Sequence, residues 1–438
     1  MRHFELRDPI HQRIPFSSFE KNIIDHPFFQ RLRFISQLGF LQAYVYPGAV
    51  HDRFAHGLGT MHVAGRLFAH MIAGSESIRS YLNPEQVEQL RLRVRLAGLL
   101  HDVGHGPFSH ATESLFPQVQ TLPLDWSWWD TQPNRQAVHE DYSVLLIQTL
   151  ADEGVLERTF AQDIASLIHK HVLPSETLNH MTKEVSGLRT VLKGLISGEV
   201  DADRMDYLLR DSYFCGVAYG TYDIDWLISA MSVVEHNGML LVVLSENGVR
   251  AYEDLLLARY HMIDQVYYHK TKAGFEHYLE QAIREKEIPL EIPTDPYQYT
   301  QLRDGAVIEQ LFEAAKHQQN YWSSHMIHRV PAKRVLRLHT KQEEDAQTLA
   351  RLGQFCETNK IGYFSHTVSN ELSNFGSGES DRATMMYVAK QLVNGVEYIP
   401  IFQYSDLLKK YNEKIFFTDF FVRREDGEQF ETVKKAFK

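Results

Sequence analysis

Four residues carry side chains of the types that hold divalent metal ions: His56, the adjacent pair His101 and Asp102, and Asp203. Imidazole nitrogens and carboxylate oxygens bind a borderline divalent ion and leave positions open for water or phosphate oxygens. Neighbours on a helix point about 100° apart, so His101 and Asp102 can share an ion only beyond a helix end or between helices. A single His-Asp pair is a weak signal, because an isolated histidine is more often a hydrogen-bonded core residue.

The sequence around this pair strengthens the prediction. Residues 96–110, LAGLLHDVGHGPFSH, place three histidines and one aspartate within ten residues beside an apolar helix. Burying so many ionisable groups is costly unless a metal or an anion compensates. His105 and His110 lie too far along the segment to be obvious ligands, but they can contact phosphate or protonate a leaving oxygen. For either one alone, a helix-capping or solvent-facing role explains the residue equally well.

A second group of polar residues shares one helix face. Asp203, Tyr207 and Asp211 recur at i, i+4 and i+8, so a carboxylate, a phenol and a second carboxylate are expected to line one wall. Arg204 and Arg210 flank that face and are interpreted either as phosphate contacts or as surface salt bridges. Arg53, three residues before His56, is suited to bind a phosphate with two hydrogen bonds.

The elements that must position these residues are mostly helices. Asn83 and Pro84 form a helix start, and Val87, Leu90, Val94, Ala97 and His101 recur at spacings of three and four, which predicts that His101 faces the core. Two short helices are predicted within 17–40, and an insertion at about 115–136, rich in tryptophan, is interpreted as a lid or a packed surface loop. The same periodicity predicts helices over 137–151, 157–172, 187–211, 223–233 and 250–285.

Strand signals are fewer. Met239 to Leu244, then Ser-Glu-Asn-Gly, then Val249 predict a small hairpin over about 239–249. Strand-like runs at Val335 to His339, Tyr398 to Phe402 and Ile415 to Val422 predict a mixed α/β region from 330 to 438.

Composition limits the classes of function. The 438 residues carry a net charge of −11, which disfavours general nucleic-acid binding. The two cysteines, Cys215 and Cys356, form no metal-binding or disulfide pattern. No signal peptide and no run of ~20 apolar residues is present, so we expect a soluble, cytoplasmic protein without a membrane segment.

Several motifs, in one order, resemble those of the HD-domain deoxynucleoside triphosphate triphosphohydrolases, a family that includes animal enzymes with a sterile alpha motif. The likeness begins within ten residues of Met1 and continues to about Lys270, so we expect a bacterial homologue without that motif. The motifs are DPIHQRI at 8–14, DHPFFQRLRFISQLG at 25–39, PGAVHDRFAHGLG at 47–59, LLHDVGHGPFSH at 99–110, His139-Glu140, VDADRMDYLLRD at 200–211 and the helix Arg259 to Lys270. The resemblance implies a mainly α fold, with an HD helical core over 1–329 and an α/β C-terminal region over 330–438.

The resemblance also implies roles for single residues. The implied metal ligands are His56, His101, Asp102 and Asp203, for Mg, Mn, Fe or Zn. The implied residues around the phosphates are Arg53, His105, His110 and His139, with His110 a candidate general acid. The implied substrate contacts are Gln37, Leu38, Arg53, Tyr207, Asp211, Arg259 and Tyr267, among which Asp211 accepts a bond from the 3'-hydroxyl and Tyr207 crowds the 2'-carbon. Arg204 and Tyr268 depart from the lysine and glutamine of the animal enzymes.

Regulation is implied by the same resemblance. Asp25, Gln30 and Arg33 match the guanine-reading residues of a regulatory site whose occupancy by dGTP or GTP assembles an active homotetramer. The basic residues that complete this site in the animal enzymes have no clear counterpart around Leu244 to Arg250. Without the resemblance, Asp25 would be a helix cap and Arg33 part of a surface ion pair.

The predicted reaction is hydrolysis of a dNTP to deoxynucleoside and tripolyphosphate, with His110 or His139 protonating the 5'-oxygen. One alternative is a hydrolase of another nucleotide, such as a 5'-monophosphate or a signalling nucleotide, on the same metal core. The other is a nucleotide-sensing assembly protein in which the metal site is structural.

Overall fold

Helices form most of the described chain, as the sequence predicts. The computed structural model describes residues 3–40, 44–317, 319–339, 343–370, 385–411 and 415–424, and the single residues 431 and 435. Its α-helices are α1 Ser18–Ile24, α2 Pro27–Gln30, α3 Arg53–Leu67, α4 Glu76–Arg79, α5 Pro84–Leu100, α6 His139–Asp152, α7 Arg158–Ile168, α8 Glu176–Thr182, α9 Leu188–Gly194, α10 Ala202–Cys215, α11 Ile224–Ala230, α12 Val249–Met262, α13 Lys270–Arg284, α14 Pro296–Tyr299, α15 Asp304–Ala315, α16 Tyr321–Ile327, α17 Glu343–Thr358, α18 Ile401–Tyr404 and α19 Asp406–Tyr411. Within the described residues, no helix combines the length and apolarity needed to cross a membrane.

Nine strands form three small sheets in the described part of the chain. The strands are β1 His3–Asp8, β2 Gln12–Ser17, β3 Met231–His236, β4 Met239–Ser245, β5 Lys333–Leu338, β6 Tyr363–Asn370, β7 Met386–Leu392, β8 Gly395–Pro400 and β9 Ile415–Val422. β1 and β2 pair as an antiparallel hairpin, a four-stranded sheet has the order β3-β4-β7-β8, and a three-stranded sheet has the order β5-β9-β6.

Local capping explains where the site-bearing helices begin. The Asp52 side chain accepts the backbone N–H of Ala55 at the start of α3, and Asn83 forms a reciprocal capping box with Gln86 before Pro84 of α5. The side chain of Asp201 caps α10 by accepting the N–H of Arg204. Each cap satisfies an N–H group that the first helical turn leaves unpaired.

A close crossing of α3 and α5 sets the centre of the fold. A Cβ atom at Gly98 of α5 would lie 3.1 Å from the carbonyl oxygen of Thr60 and 3.2 Å from the Cα of Met61, both in α3. Only a glycine therefore lets the two backbones approach this closely. Since His56 lies one turn before Thr60 and His101 ends α5, the crossing also sets the distance between these two histidines.

The structure corrects several details of the sequence reading. The predicted hairpin at 239–249 begins one strand earlier, because Asn237 and Gly238, both at positive φ, form its turn and join β3 to β4. Residues 246–248 form a 3-10 turn, and Val249 begins α12 instead of a strand. The predicted helix over 187–211 is divided between α9 and α10, and that over 250–285 is divided between α12 and α13. The helix predicted over 223–233 ends at Ala230, and β3 begins at Met231.

The C-terminal region is joined to the core by backbone pairing. β4 pairs in parallel with β7, matching Val242 with Met386 and Ser245 with Ala389. This sheet crosses the boundary predicted at residues 329 and 330. The sequence from Ser369 to Arg382, rich in Ser, Gly and Asn, predicts a loop; β6 extends to Asn370, and the rest of this loop lies outside the described residues.

The tryptophan-rich insertion packs against the core. It consists of short 3-10 turns in which Trp128 and Trp129 are buried. Gln118 and Gln136 form an isolated bridge across its base. The structure thus agrees with the packed-loop interpretation of residues 115–136.

Replacing Gly98 with alanine is expected to destabilise the protein, because the added methyl group must push α5 away from the α3 backbone. The expected cost is about 1–3 kcal/mol, seen as a lower midpoint of urea unfolding. Gly194→Ala is the control, since a Cβ atom there meets no atom within 4 Å. Equal midpoints for Gly98→Ala and the wild-type protein would contradict the close crossing.

Candidate active site

The four predicted metal ligands come together at the ends of three helices. His56 lies in the first turn of α3, His101 is the C-cap of α5 with Asp102 directly after it, and Asp203 lies in the first turn of α10. His56, His101 and Asp102 are buried, while the Asp203 side chain is 33% exposed. The helical stripe that ends at His101 therefore delivers this residue to the core, as predicted.

Their donor atoms converge. Nε2 of His56 lies 2.9 Å from Oδ1 of Asp203 and 3.5 Å from Oδ2 of Asp102. Nε2 of His101 lies 3.4 Å from Oδ1 of Asp102 and 3.4 Å from Oδ1 of Asp203. Ligands bound to one ion at about 2.0–2.2 Å must lie roughly 3 Å apart, so these separations fit a shared divalent ion.

The hydrogen bonds on the opposite side of each ring support the same assignment. Nδ1–H of His56 donates to Oδ2 of Asp206 at 2.8 Å, and Nδ1–H of His101 donates to the carbonyl oxygen of Gly98 at 2.8 Å. The buried Nε2 atoms of His56 and His101 have no well-aligned hydrogen-bond partner among the described residues. Each ring is held through Nδ1, and its Nε2 faces the carboxylates, which is the arrangement that binds a metal ion once the ion takes the place of a proton on Nε2.

The charged groups around the four metal-ligand candidates favour positive charge between them. Burial lowers the pKa of His56, but the carboxylates of Asp203 and Asp206 outweigh burial and raise it to about 10. Burial raises the pKa of Asp102, but Arg53, His101 and His105 hold it well below its usual range. The site therefore keeps its carboxylates ionised and stabilises a cation.

Asp206 is a residue that sequence reasoning missed. Its two oxygens accept hydrogen bonds from Nε and Nη2 of Arg210 at 2.8 Å each, and Oδ1 also accepts Nε2–H of His11 at 2.7 Å. Arg210 is fully buried and also donates to Asp8 at 2.8 Å. Arg210 is thus a structural residue and not a phosphate contact. Asp8 and His11 belong to the DPIHQRI motif, whose contribution to the site only the fold reveals.

Arg53 and a group of histidines lie beside the metal ligands. Arg53 bonds to Oδ2 of Asp102 through Nη1 and donates from Nε to Oγ of Ser109 at 3.0 Å. The rings of His105 and His139 stack with centroids 3.9 Å apart, and His110 lies at 4.9 Å from His105 and 5.4 Å from His139. Imidazole nitrogens of all three histidines fall within 4.8 Å of one another.

Glu113 organises this histidine group and was also missed. One oxygen accepts Nδ1–H of His139 at 2.7 Å and the backbone N–H of His139 at 3.0 Å, and the other accepts Nδ1–H of His110 at 3.1 Å. Burial lowers the pKa of His139, but Glu113 outweighs burial and raises it above its usual value. Burial, together with Arg53 and His139, keeps the pKa of His105 well below its usual value. His139 is therefore the better proton carrier of the stacked pair near neutral pH.

The α10 face forms the opposite wall. Asp211 is buried, its Oδ1 accepts Nε2–H of His51 at 2.7 Å, and its Oδ2 accepts the hydroxyl of Tyr267 at 2.8 Å. Tyr267 is positioned by a π-helical turn, Ile263–Tyr267, that follows α12. Tyr207 lies between the metal ligands and Tyr267, with its ring 6.4 Å from His56 and 6.0 Å from Tyr267. His51 is a further site residue that sequence analysis did not identify.

Asp102, Asp203, the three histidines of the group and the α10 face line one cavity of about 490 Å³, a size typical of small-molecule sites. Every substrate-binding and catalytic residue predicted from the sequence lines it: Gln37, Leu38, Arg53, His105, His110, His139, Tyr207, Asp211, Arg259 and Tyr267. Further lining residues include Tyr268 and the ion pair of Lys272 and Glu276, whose charged atoms lie 2.9 Å apart. Arg204 does not line the cavity, because its guanidinium bonds to the carbonyl oxygens of Gly198 and Glu199.

The predicted regulatory residues lie together on a different surface segment. Asp25 pairs with Lys21, and the amide of Gln30 donates to the carbonyl oxygen of Ile24 at 2.7 Å. Arg33 donates to Gln30 at 2.8 Å, and its guanidinium lies 3.5 Å from the ring centroid of Phe54. The role of these three residues in nucleotide binding stays a prediction.

Comparison with known proteins places the site within known sequence families. The family model of the HD domain matches residues 53–211, and that of the HD associated region matches residues 222–354. The first model contains the four metal-ligand candidates, and the second contains Arg259 and Tyr267.

The alignments with curated relatives cover about 60% of this chain. An uncharacterized Bacillus subtilis protein, YwfO, is 33% identical over 276 residues, which are 62% of this chain and 53% of that protein. The deoxynucleoside triphosphate triphosphohydrolase SAMHD1 of Bos taurus is 30% identical over 290 residues, which are 61% of this chain and 44% of that protein. The chain thus spans about half the length of the curated relatives it matches.

A solved structure extends the likeness to the whole chain. The crystal structure of a hypothetical protein from Aquifex aeolicus covers 100% of both chains with a TM-score of 0.75 and 27% identity. A Bacteroides thetaiotaomicron phosphohydrolase covers 96% of this chain and 100% of its own, with a TM-score of 0.67 and 22% identity, which shows a shared fold.

Asp206→Asn is expected to weaken metal binding by about 10–100-fold, because an amide nitrogen facing Nδ1 of His56 would move the ring proton to Nε2. The measurement is metal content after dialysis and metal affinity by calorimetry. Asp225→Asn is the control, since Asp225 forms an exposed ion pair with Arg66. An Asp206→Asn protein that folds and retains metal as the wild type does would contradict the assignment of His56 as a ligand.

Proposed function

Because this chain carries an HD domain followed by an HD-associated region and belongs to the HD-domain phosphohydrolase family, we propose that it hydrolyses dNTPs to deoxynucleoside and tripolyphosphate. The observation that carries the proposal is the composition of one cavity. Asp102 and Asp203, the histidine group and the α10 wall all line it. The deoxynucleoside triphosphate triphosphohydrolase SAMHD1 relatives support the same substrate class.

The cationic side chains that line the cavity suit a triphosphate. Arg53, Arg259 and Lys272 supply cationic groups, and His139 adds another when protonated. A triphosphate carries several negative charges that need this many cationic partners in a buried site. A divalent ion held by His56, His101, Asp102 and Asp203 would supply a Lewis acid for a phosphoryl oxygen and would lower the pKa of bound water.

The α10 wall suits a deoxyribose. Both oxygens of Asp211 are fixed by His51 and Tyr267 and each retains a lone pair, so Asp211 can accept a bond from a 3'-hydroxyl. Burial raises the pKa of Tyr207 to about 12, so its phenol stays neutral. Packed between the metal ligands and Tyr267, the Tyr207 ring would occupy space that a 2'-hydroxyl needs.

Proton delivery falls to the histidine group that lies beside the metal ligands. Attack of water on the α-phosphorus forms a new P–O bond and breaks the bond to the 5'-oxygen, which must receive a proton. His139 holds a proton more readily than His105 does, since Glu113 raises its pKa. We assign His139 as the general acid, with His110, whose ring is largely exposed, as the second candidate.

Regulation by a guanine nucleotide, dGTP or GTP, is the second part of the proposal. Asp25, Gln30 and Arg33 would read the base, and binding would favour a homotetramer. A physical connection to the active site exists, because Arg33 stacks on Phe54, the neighbour of Arg53 in α3. A nucleotide that draws Arg33 away from Phe54 would therefore alter packing beside a phosphate contact.

The test is product analysis. Purified protein is incubated with each dNTP, with Mg²⁺ or Mn²⁺ and with or without GTP or dGTP, and the products are separated by chromatography. We expect deoxynucleoside and tripolyphosphate, no product with Asp203→Asn, and no product after chelation. Release of dNMP and pyrophosphate, or hydrolysis of 5'-monophosphates or signalling nucleotides alone, would contradict the proposal, and nucleotide-dependent assembly without turnover would favour a sensing protein.

Glu113→Gln is expected to shift the pH profile of hydrolysis. Removing the negative charge lowers the pKa of His139, so the general acid loses its proton at lower pH. The alkaline limb of kcat/KM against pH should move to lower pH, while the rates of the two proteins converge below both pKa values. Glu153→Gln is the matched control, because Glu153 pairs with His26 at 2.9 Å outside the cavity. An unmoved alkaline limb would exclude His139 as the acid.

A further inference from the structure

One carboxylate outside the HD domain bonds to two separate segments of the cavity wall. Asp304, the first residue of α15, accepts the backbone N–H of Ser36 on Oδ2 at 2.9 Å and the backbone N–H of Phe108 on Oδ1 at 2.7 Å. Asp304 does not line the cavity itself. It lies in the HD-associated region, about 200 residues along the chain from Phe108.

Both bonded segments carry cavity residues. Gln37 and Leu38 directly follow Ser36, and Phe108 and Ser109 line the cavity themselves. The hydroxyl of Ser109 donates to the carbonyl oxygen of Ser36 at 2.7 Å and accepts Nε–H of Arg53 at 3.0 Å. The two segments and the phosphate-contacting arginine therefore form one bonded unit.

The backbone of this unit is strained. Phe108 and Ser109 are consecutive non-glycine residues at φ 55° and φ 59°. Each such residue in the left-handed region is unfavourable for an L-amino acid and persists only where surrounding bonds hold it. The bond from the Phe108 N–H to Asp304 and the stacking of Phe108 on Phe40, with centroids 4.3 Å apart, are among the contacts that hold it.

We propose that Asp304 is a positioning residue for substrate binding, by which the HD-associated region holds the two wall segments, 36–38 and 108–109, in the shape that receives the nucleotide. The identity of the nucleotide rests on the dNTP function proposed above. The metal-ligand candidates lie on α3, at the end of α5 and on α10, and the hydrogen bonds of Asp304 go to Ser36 and Phe108 instead, so its loss should affect binding of substrate more than the metal.

The kinetic test compares Asp304→Asn with the wild type. An asparagine side chain keeps one acceptor oxygen and replaces the other with an NH2 group. One of the two backbone N–H groups, that of Ser36 or that of Phe108, therefore loses its acceptor and faces another donor. We expect KM for the dNTP to rise about tenfold, kcat to change by less than about threefold, and bound metal to stay constant. Asp304→Ala, which loses both acceptors, should raise KM further. Unchanged KM in both variants, or a loss of bound metal, would overturn the proposal.

Glu287→Gln is the matched control. Glu287 also accepts two backbone amides, those of Trp322 at 3.0 Å and Ser323 at 2.7 Å, but neither it nor its partners line the cavity. This variant should lower the thermal unfolding midpoint comparably and leave KM unchanged. An equal rise in KM for Glu287→Gln would show a general loss of stability and would overturn a specific role for Asp304.

A measurement without substrate separates this proposal from the proposed function. Amide hydrogen exchange of the metal-loaded protein is followed by mass spectrometry in peptides covering 36–40 and 106–112. Faster exchange in both segments for Asp304→Asn, and not for Glu287→Gln, is expected even if no dNTP is hydrolysed. Exchange as slow as in the wild type would overturn the positioning role whatever the substrate proves to be.

Discussion

The buried carboxylate of Asp206 is the interaction on which the arrangement of the site depends. It accepts a hydrogen bond from Nδ1 of His56, on the side of the ring away from the other metal-ligand candidates. It also neutralises the fully buried Arg210, which in turn binds Asp8 of the N-terminal hairpin. Burying these charges is tolerable only because each is paired and hydrogen-bonded. A Cβ atom at Gly59 would overlap this carboxylate and the Arg210 guanidinium, so α3 needs a glycine at that point of its contact with α10. The network thus fixes α3, α10 and the hairpin relative to one another.

Residues that share a helix face could be found from the sequence, because their spacing is local information. Asp203, Tyr207 and Asp211 line the cavity as their i, i+4 and i+8 spacing predicts, and the apolar stripe before His101 correctly predicts its burial. His51, Asp206 and Glu113 could not be found this way. Their roles arise from contacts with Asp211, His56 and His139, between segments brought together only by folding.

Strands were predicted less completely than helices, for a related reason. The strands at 333–338, 395–400 and 415–422 contain β-branched and aromatic runs, whereas β1, β2, β6 and β7 carry mixed polar patterns that local propensity does not separate from loops. The hairpin predicted over 239–249 lies one strand further along the chain than the actual hairpin of β3 and β4, because two turn signals lie close together. Asn237-Gly238 forms the actual turn, and Glu246–Gly248 leads into α12. The parallel pairing of β4 with β7 depends on tertiary contact and leaves no local signal.

The stacked pair of His105 and His139 shows how one local geometry supports two protonation states. The centroids of the two rings lie 3.9 Å apart, and the ring planes are inclined by 14° to each other. At this distance, a positive charge on one ring disfavours a positive charge on the other. Arg53 acts against a proton on His105, whereas Glu113 favours one on His139, and burial opposes both. The environment therefore drives the two pKa values apart, which is how neighbouring groups of one type acquire different tasks in an active site. Nε2 of His105 lies 3.2 Å from Asp102, so the histidine that burial keeps neutral is the one beside a metal-ligand candidate, and the proposed mechanism uses the other, His139, as the proton donor.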